Sequence, residues 1–553
     1  MKEYREALRR HCCASALLGG AMLLASSFAP AMAVEWDLGG DVIVKFNSTA
    51  SAGVGIRTVN PDANFIGTTN GGNEIGGENF DDGNLNYRRG DVFSASVRMM
   101  HEVDLRWQNY GAFTRFSYFY DAINNDASST RRTPLSQSAR HSIGRGISLY
   151  DAYVFGDFEV GNSPISVRLG NQVINWGEAL FRIGGISQTN ALDVGRVVTP
   201  GTNIREAYLP SPMIYANLGV VEGVSLEAYY QFQWRRTQLV PTGSFFSTDD
   251  LTGPGAQGLF FAADPGGSGL TAQQLIAFSL GIPKLNDVGP KDQGQFGLAA
   301  RYYIEPLSAE LSAFYLRYHS KTPYISGQSV LLPAAPWVAA GYFGYFPENI
   351  DLYGASLSLP VGPVAVGAEV AYQPDYPVML ADAVMPAIIF APTTVLGVAR
   401  ADRWNAIANA AVTVGPSMDY IGQVPGWIGA DTIDLIGEVG AVNYSGRKPL
   451  GVDGDMFAWG VNLATTATYT NAFGTEITLK PGFSLVYDVN GVSMDRGSAA
   501  SYVQGHRGLT VGVTGVYRDT LTAAINYTNN KGGGTYRRDS DRDYVTLTAS
   551  YSF

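Results

Sequence analysis

Cysteine is almost absent: Cys12 and Cys13 are the only two in 553 residues, and both precede residue 34. No disulfide can hold the remainder, so its stability must come from packing and backbone pairing. Histidine is scarce, with five residues and no HxxxH or HExxH spacing, which argues against a histidine metal site. There is no phosphate-binding loop and no G-x-S-x-G. Cations are outnumbered, 38 Lys and Arg against 49 Asp and Glu, for a net charge of -11. That balance excludes nucleic acid as an expected partner. Past residue 33 no run of ~18 apolar residues free of proline or charge occurs, so no helical membrane span is predicted. Linkers, low-complexity spacers and charge blocks are also missing.

What is present begins with an address. Lys2, Arg5, Arg9 and Arg10 precede an apolar stretch, Ala14 to Ala25, and then Ala31-Met32-Ala33. This pattern predicts a secretory signal peptide over 1–33, followed by a single domain over 34–553. Gly 65, Tyr 31 and Phe 26 are high counts. At the end of the chain Val545, Leu547, Ala549, Tyr551 and Phe553 share one face, and Thr546, Thr548, Ser550 and Ser552 the other. Successive side chains of a strand point to opposite faces, so this segment is apolar on one side only. Phe93 to Trp107 repeats the dyad, with Ser94, Ser96, Arg98, Glu102, Asp104 and Arg106 opposite Phe93, Ala95, Val97, Met99, His101, Val103, Leu105 and Trp107. Segments around 364–372, 433–441, 509–517 and 521–527 follow it.

Connections alternate in length. Short links at 108–110, 161–163, 221–223, 305–307, 361–362, 471–474 and 518–520 separate long ones at 58–90, 122–146, 176–212, 237–292, 321–349, 375–402, 446–454, 491–506 and 530–542. Only 415–430 breaks the rule. An apolar outer face, a charged inner face and two-sided loop asymmetry predict an all-β, transmembrane, antiparallel up-and-down β-barrel with long outer loops containing short helices. The count is about 18 strands, or 16 if 213–220 and 308–320 are not strands. Trp107, Tyr110, Tyr118 and Tyr120 fit an interfacial girdle. Both termini are expected on the periplasmic side of a Gram-negative outer membrane, among outer-membrane lipids and lipopolysaccharide. Phe553 resembles the terminal signal read by the barrel assembly machinery.

Inward Arg98, Glu102, Asp104, Arg106, Arg115, Arg168, Glu369, Asp434 and Glu438 are candidates to line a pore, although mixed signs on one strand favour internal pairing. Three long loops are oddly apolar. Leu275 and Phe278 recur at helical spacing, Trp337 and Phe343 lie in a second loop, Ile389 and Phe390 in a third. Such loops either pack on one another as a cap or meet an apolar ligand. Glu74, Glu78, Asp81 and Asp82 carry no recognisable metal-ligand spacing and read as a solvated acidic loop. Neither a metal nor a cofactor is expected.

Several stretches together are specific: Asn79-Phe80-Asp81-Asp82-Gly83-Asn84-Leu85-Asn86-Tyr87, Arg168 to Glu178 with Trp176-Gly177-Glu178, Asp292 to Gly297, Tyr318-His319-Ser320, Gly437-Glu438-Val439-Gly440 and Asp541-Arg542-Asp543. With them the whole chain past residue 33 resembles the proteobacterial domain-of-unknown-function family thirteen-oh-two. The resemblance implies an outer-membrane β-barrel. It also implies a setting beside periplasmic proteins and RND-type transporters, often in clusters for steroid or other hydrophobic-compound metabolism. It brings no functional residues. Trp176 and Glu178, where a strand gives way to a long loop, are candidates for a constriction or for a structural corner. The expectation is a channel or transporter for hydrophobic small molecules. The alternatives are a porin for polar or charged solutes and, from another class, a barrel enzyme, for which His141 and His319 would be the residues to replace.

Overall fold

The computed structural model describes residues 34–182, 184–261, 263–331, 338–381, 384, 393–495 and 501–553. Runs rich in Val, Thr, Tyr and Phe with period-two alternation extend into strands, and short Gly- or Asn-bearing turns reverse them. The barrel strands are β1 (Val42–Arg57), β2 (Val92–Trp107), β3 (Tyr110–Asp121), β4 (Arg145–Val160), β5 (Ser163–Gln172), β6 (Ser211–Val221), β7 (Val224–Gln231), β8 (Gln295–Ile304) and β9 (Ala309–Tyr318). They continue as β10 (Ile350–Val361), β11 (Val364–Met379), β12 (Val398–Val414), β13 (Thr432–Ser445), β14 (Phe457–Thr468), β15 (Ile477–Asn490), β16 (Arg507–Tyr517), β17 (Leu521–Lys531) and β18 (Tyr544–Ser552). Segment 213–220 lies in β6 and most of 308–320 in β9, so the count is eighteen rather than sixteen.

Each strand pairs antiparallel with its sequence neighbours, and β18 closes on β1 in a register from Thr49↔Ser552 to Arg57↔Tyr544. Below that seam the Ser48 N–H donates to the Phe553 carbonyl at 2.6 Å and the Phe553 N–H to the Ser48 carbonyl at 2.8 Å. The short strand Val34–Asp37 extends the pairing along β1. Closure leaves no unpaired edge, the condition for a sheet surrounded by hydrocarbon. Outward Leu509, Val511, Val513, Ile525 and Tyr527 are exposed large apolar side chains, as are Trp107, Tyr110, Tyr118 and Tyr120. The nine long connections lie at one end of the barrel and the short turns at the other, joined there by 415–431, which carries one helical turn, Val424–Trp427.

Two strand irregularities redirect side chains. The β1–β2 register shifts between Gly55 and Ile56, opposite Phe93. The extra residue turns Phe93 away from the outer face expected for it and into a buried stack on Phe245, with ring centroids 4.1 Å apart. A second shift between Gln373 and Tyr376 brings the Tyr376 ring under Arg403 at 4.7 Å.

Over β6–β11 part of the inner face is apolar, beside buried polar residues such as Glu227, Gln231 and Glu369. Met213, Tyr229, Phe314, Leu316, Ile350 and Leu352 form a buried apolar cluster inside the barrel together with Trp176 and Ile186. The long loops carry small sheets and short helices, among them Ala272–Ala277 with a Thr271/Gln274 capping box. A three-stranded sheet joins Tyr324–Leu331, Val338–Tyr345 and Thr394–Val395.

Candidate functional site

The chain leaves β5 at Gln172 and enters β6 at Ser211, and the 38 residues between run through the inside of the barrel. Trp176 leads. Its Nε1–H donates to Glu227 Oε2 of β7 at 2.6 Å, and its ring packs on Tyr229 and on Phe314 of β9, at centroid distances of 5.1 and 5.6 Å. The Glu178 N–H donates to Glu369 Oε2 of β11 at 2.5 Å, and the Ile186 N–H to Oε1 of the same carboxylate at 3.1 Å. The Glu178 carbonyl accepts from Asn409 Nδ2 of β12 at 2.6 Å. Leu180, Phe181 and Arg182 then give their N–H groups to the Glu438 carboxylate of β13, at 2.6, 3.1 and 2.7 Å. Arg182 reaches on to Asp488 of β15 at 2.7 Å.

Glycine makes the approach sterically feasible. Gly177 and Gly185 have φ of +94° and +47°, and a Cβ at either would overlap the Glu369 carboxylate. The returning half lies against β1–β4. Pro200 and Gly201 carbonyls accept from Ser96 and Ser51 hydroxyls, both at 2.8 Å. Buried Glu206 accepts from Arg98 Nη1 at 2.6 Å, Ser117 Oγ at 2.8 Å and Tyr150 OH at 3.1 Å. One loop thus touches the wall on both sides of the lumen.

The expected pore-lining residues separate into two groups. Arg98, Glu369 and Glu438 do not face open water; they are buried under the inward segment and bind it, because its backbone and Glu206 supply the polar partners that alternation alone leaves unspecified. Glu102, Asp104, Arg106, Arg115, Arg168 and Asp434 lie nearer the short-turn end. Glu102 pairs with Arg205 at 3.1 Å, Arg106 with Asp104 at 3.2 Å and Arg115 with Asp151. Asp434 accepts from Thr413 Oγ1 at 2.6 Å. Arg168 stacks over Tyr215 at 4.3 Å. Trp176 and Glu178 both belong to the inward segment. Arg182, Glu206, Glu227 and Asp488 went unread in the sequence; the only signal was a Gly184-Gly185 doublet inside a long loop of mixed charge.

Above the segment, on the long-loop side, lies a cavity of about 840 Å³. Val194 and Val198 of the segment line it, with Phe80, Leu239, Phe246, Leu251, Phe261, Ile325, Leu380 and Val384 from four other loops, and Glu78, Asp249, Asp453, Arg537 and Arg538 among its polar lining. The loop residues expected to meet a ligand are not its walls. Leu275 is buried against Phe260 and Ala272 beside its own helix, Phe278 is 63% exposed, and Phe343 is buried, for each loop packs chiefly on its neighbours. Trp337, Ile389 and Phe390 lie outside the described residues.

Next to this cavity the acidic loop is not solvated as expected. Asp81, Asp82 and Asp250 bring carboxylate oxygens within 4.8 Å of one another. Burial pushes Asp81 up to about 6 and Asp82 up to about 7, and Asp250 rises well above the usual carboxylate range through burial and the neighbouring carboxylates. Arg132 supplies counter-charge, at 3.0 Å from Asp82 and 2.6 Å from Asp264, and Glu74 pairs with Arg538. Burial pulls Lys321 down to about 7, and its Nζ donates to the Gln188 carbonyl of the inward segment at 2.8 Å.

No protein of curated function matches the chain in sequence. Among solved structures, the chain is similar to OccK1 (OpdK) of Pseudomonas aeruginosa at 11% identity, with a TM-score of 0.41 over 92% of this chain and 98% of that one. OccAB2 of Acinetobacter baumannii matches at 8% identity and TM-score 0.41 over the same shares. Salmonella typhi OmpF, solved with daunomycin, matches at 10% and 0.37, over 94% of this chain and all of that one. In sequence the assignment is plain: the model described as Protein of unknown function (DUF1302) matches residues 14–553, and the chain belongs to that family.

Proposed function

We propose that this barrel lies in the outer membrane, termini on the periplasmic side, as a channel for hydrophobic small molecules, constricted by residues 173–210. The observation that carries the reading is the cavity of about 840 Å³, walled mostly by apolar side chains and set against Val194 and Val198 of the segment that fills the lumen. A ligand pocket of this size and lining suits an apolar molecule. Further apolar surface lies inside the barrel, in the buried cluster of β6–β11 and in the exposed Leu180 and Phe181 of the segment. Lipid surrounds the exposed apolar wall in this reading, lipopolysaccharide meets the long loops, and Phe553 addresses the assembly machinery. Periplasmic and RND-type transporters are the proposed onward carriers.

A second reading, a porin for polar solutes, is favoured by the charges of the short-turn half, where the Arg106 side chain is 59% exposed. Catalysis is not part of the proposal. The His319 ring is engaged on both nitrogens, Nδ1 accepting the Asn349 N–H at 3.0 Å and Nε2 bound to the Gln293 carbonyl at 3.1 Å.

The test is reconstitution. The purified barrel should conduct ions poorly in a planar bilayer, while liposomes containing it take up a steroid-like probe faster than empty ones. Val198→Asp and Phe246→Asp should each slow that uptake several-fold. Wide, steady ion conduction with probe uptake indifferent to both substitutions would overturn the reading in favour of the porin.

A further inference from the structure

The short-turn end of the barrel has one connection that is not short, and its apolar residues point away from the protein. In 415–431 Tyr420 is 95% exposed and Trp427 73%, and Phe473 in the adjoining turn is 90% exposed. Ile421 and Ile428 are exposed beside them. This is an ordered ridge rather than a loose loop. The Gly422 N–H donates to Met418 O at 3.1 Å and the Ala430 N–H to Pro425 O at 2.9 Å. It is tied to the next turn by Tyr469 OH on Ile428 O at 3.2 Å and by Asp431, which accepts from the Thr470 N–H and hydroxyl, each at 2.6 Å. Tyr420 itself sits at φ +62°, a backbone region that bulky residues rarely occupy, and the ring is thereby held outward.

Position on the barrel gives the ridge its meaning. Six strands carry an aromatic among their four residues nearest this rim: β2, β3, β4, β8, β16 and β18, through Trp107, Tyr110, Phe158, Tyr302 and Tyr303, Tyr517 and Tyr551. From β9 to β15, the longest run of neighbouring strands without one, the same positions contain no Trp, Tyr or Phe. The ridge rises in the middle of that bare arc. Two residues after it the outward face of β13 begins, with Ile433 and exposed Leu435 and Val439, so the ridge is continuous with the wall that faces lipid. Between residues 404 and 446 there is no Lys or Arg, so attraction to anionic headgroups is not its basis. Trp and Tyr with aliphatic neighbours and no cation partition into the headgroup–carbonyl zone of a bilayer.

We infer that residues 415–431, with Phe473, form an interfacial anchor that dips into the periplasmic leaflet of the outer membrane and supplies aromatics along the longest arc of the rim where the strands lack them. The inference rests on the membrane placement proposed above. Its occupant is phospholipid, and a protein docking on the ridge is the competing outcome.

Nitroxide depth measurement decides it. With Cys12→Ser and Cys13→Ser, a single label is placed at Gln423→Cys, an exposed position between the two key aromatics that leaves both in place. The barrel is reconstituted in phosphatidylethanolamine–phosphatidylglycerol vesicles, with Val439→Cys as the lipid reference and Leu450→Cys, on the long-loop side, as the water reference. The label at 423 should collide with oxygen in preference to a water-soluble nickel chelate, several-fold above the 450 reference. Adding Tyr420→Ser and Trp427→Ser should bring it to the water value. A label at 423 in water from the outset, or still in lipid after both substitutions, overturns the anchor. So does shielding from both reagents, which would show protein packed over the ridge. If the Val439 label also reports water, the membrane placement itself falls, and the anchor with it.

Discussion

Glu438 is buried and takes its hydrogen bonds from three backbone N–H groups and the Asn462 amide, with no cation among its described partners. Glu369 does the same work a strand pair away. A buried donor left without its partner costs about 1–3 kcal/mol, so these two carboxyl groups are the main polar ties of the inward segment to β11 and β13. Replacing both by Gln keeps volume and exchanges one acceptor oxygen of each for an amide N–H that cannot accept the segment's backbone N–H groups. The double variant Glu369→Gln/Glu438→Gln should remain a folded barrel, conduct ions several-fold better than the parent in planar bilayers and be cut by protease within 176–186. Unchanged conductance would mean that packing of Trp176 and Ile186 holds the segment by itself. Gly185→Ala tests the same place from the other side. A Cβ there meets the Glu369 carboxylate at a positive φ, a strain of about 1–3 kcal/mol, and the same protease sites should open with both carboxylates intact. Alternation sufficed to place Glu369 and Glu438 on the inner face. What they bind was not legible, because the partners are main-chain groups of residues about 180 to 260 positions away, and main-chain donors leave no mark in a sequence.

Loops show a similar division at the scale of elements. The acidic run 74–82 reads as solvated until 249–250 and 264 are folded onto it. The resulting carboxyl groups titrate high, and the sign follows from linkage. Asp81 and Asp82 have folded values of about 6 and about 7, above the unfolded value of about 3.9. Their contribution to loop stability is therefore complete below about pH 4 and is lost as pH rises through about 6 and 7. A tenfold difference in proton affinity between the folded and unfolded chain is worth about 1.4 kcal/mol. Loops 58–91 and 232–294 should show larger protection factors, amide exchange being corrected for its intrinsic pH dependence, at pH 5 than at pH 8, and Asp82→Asn should flatten that difference. Lower protection at pH 5 would contradict the burial of the cluster. Phe93 carries the other lesson at this scale. A one-residue bulge moves a side chain to the opposite face, and the dyad pattern assigns Phe93 outward because it contains no sign of the bulge. Residues 415–431 could be recognised in sequence as the one overlong short turn, but their ordered form depends on Asp431 meeting Thr470 of the next hairpin.

For the molecule as a whole, closure dominates. Removing 544–553 would leave β1 and β17 with open edges, and each unpaired polar group in hydrocarbon costs several kcal/mol. The truncated chain should give no compact, heat-modifiable band on unheated gels, whereas the full chain should; a folded truncation would refute the β1–β18 seam. The barrel itself was legible in the sequence: about eighteen antiparallel strands with sixteen left open, long connections alternating with short ones, and the residues of most strands that face outward. Those properties follow from period-two alternation and connection length, both local along the chain. Folding in three dimensions was needed to show that the loop after β5 turns inward, that an apolar cluster fills part of the inner face of β6–β11, that Arg98, Glu369 and Glu438 hold a segment rather than line water, and that the cavity is walled by Val198 and Phe246 rather than by Leu275 or Phe343. The physical reason is the same in each case. A strand's face is set by its own neighbours two residues away, whereas the course of a loop is set by which distant donors, carboxylates and apolar surfaces it meets once the barrel has closed around it.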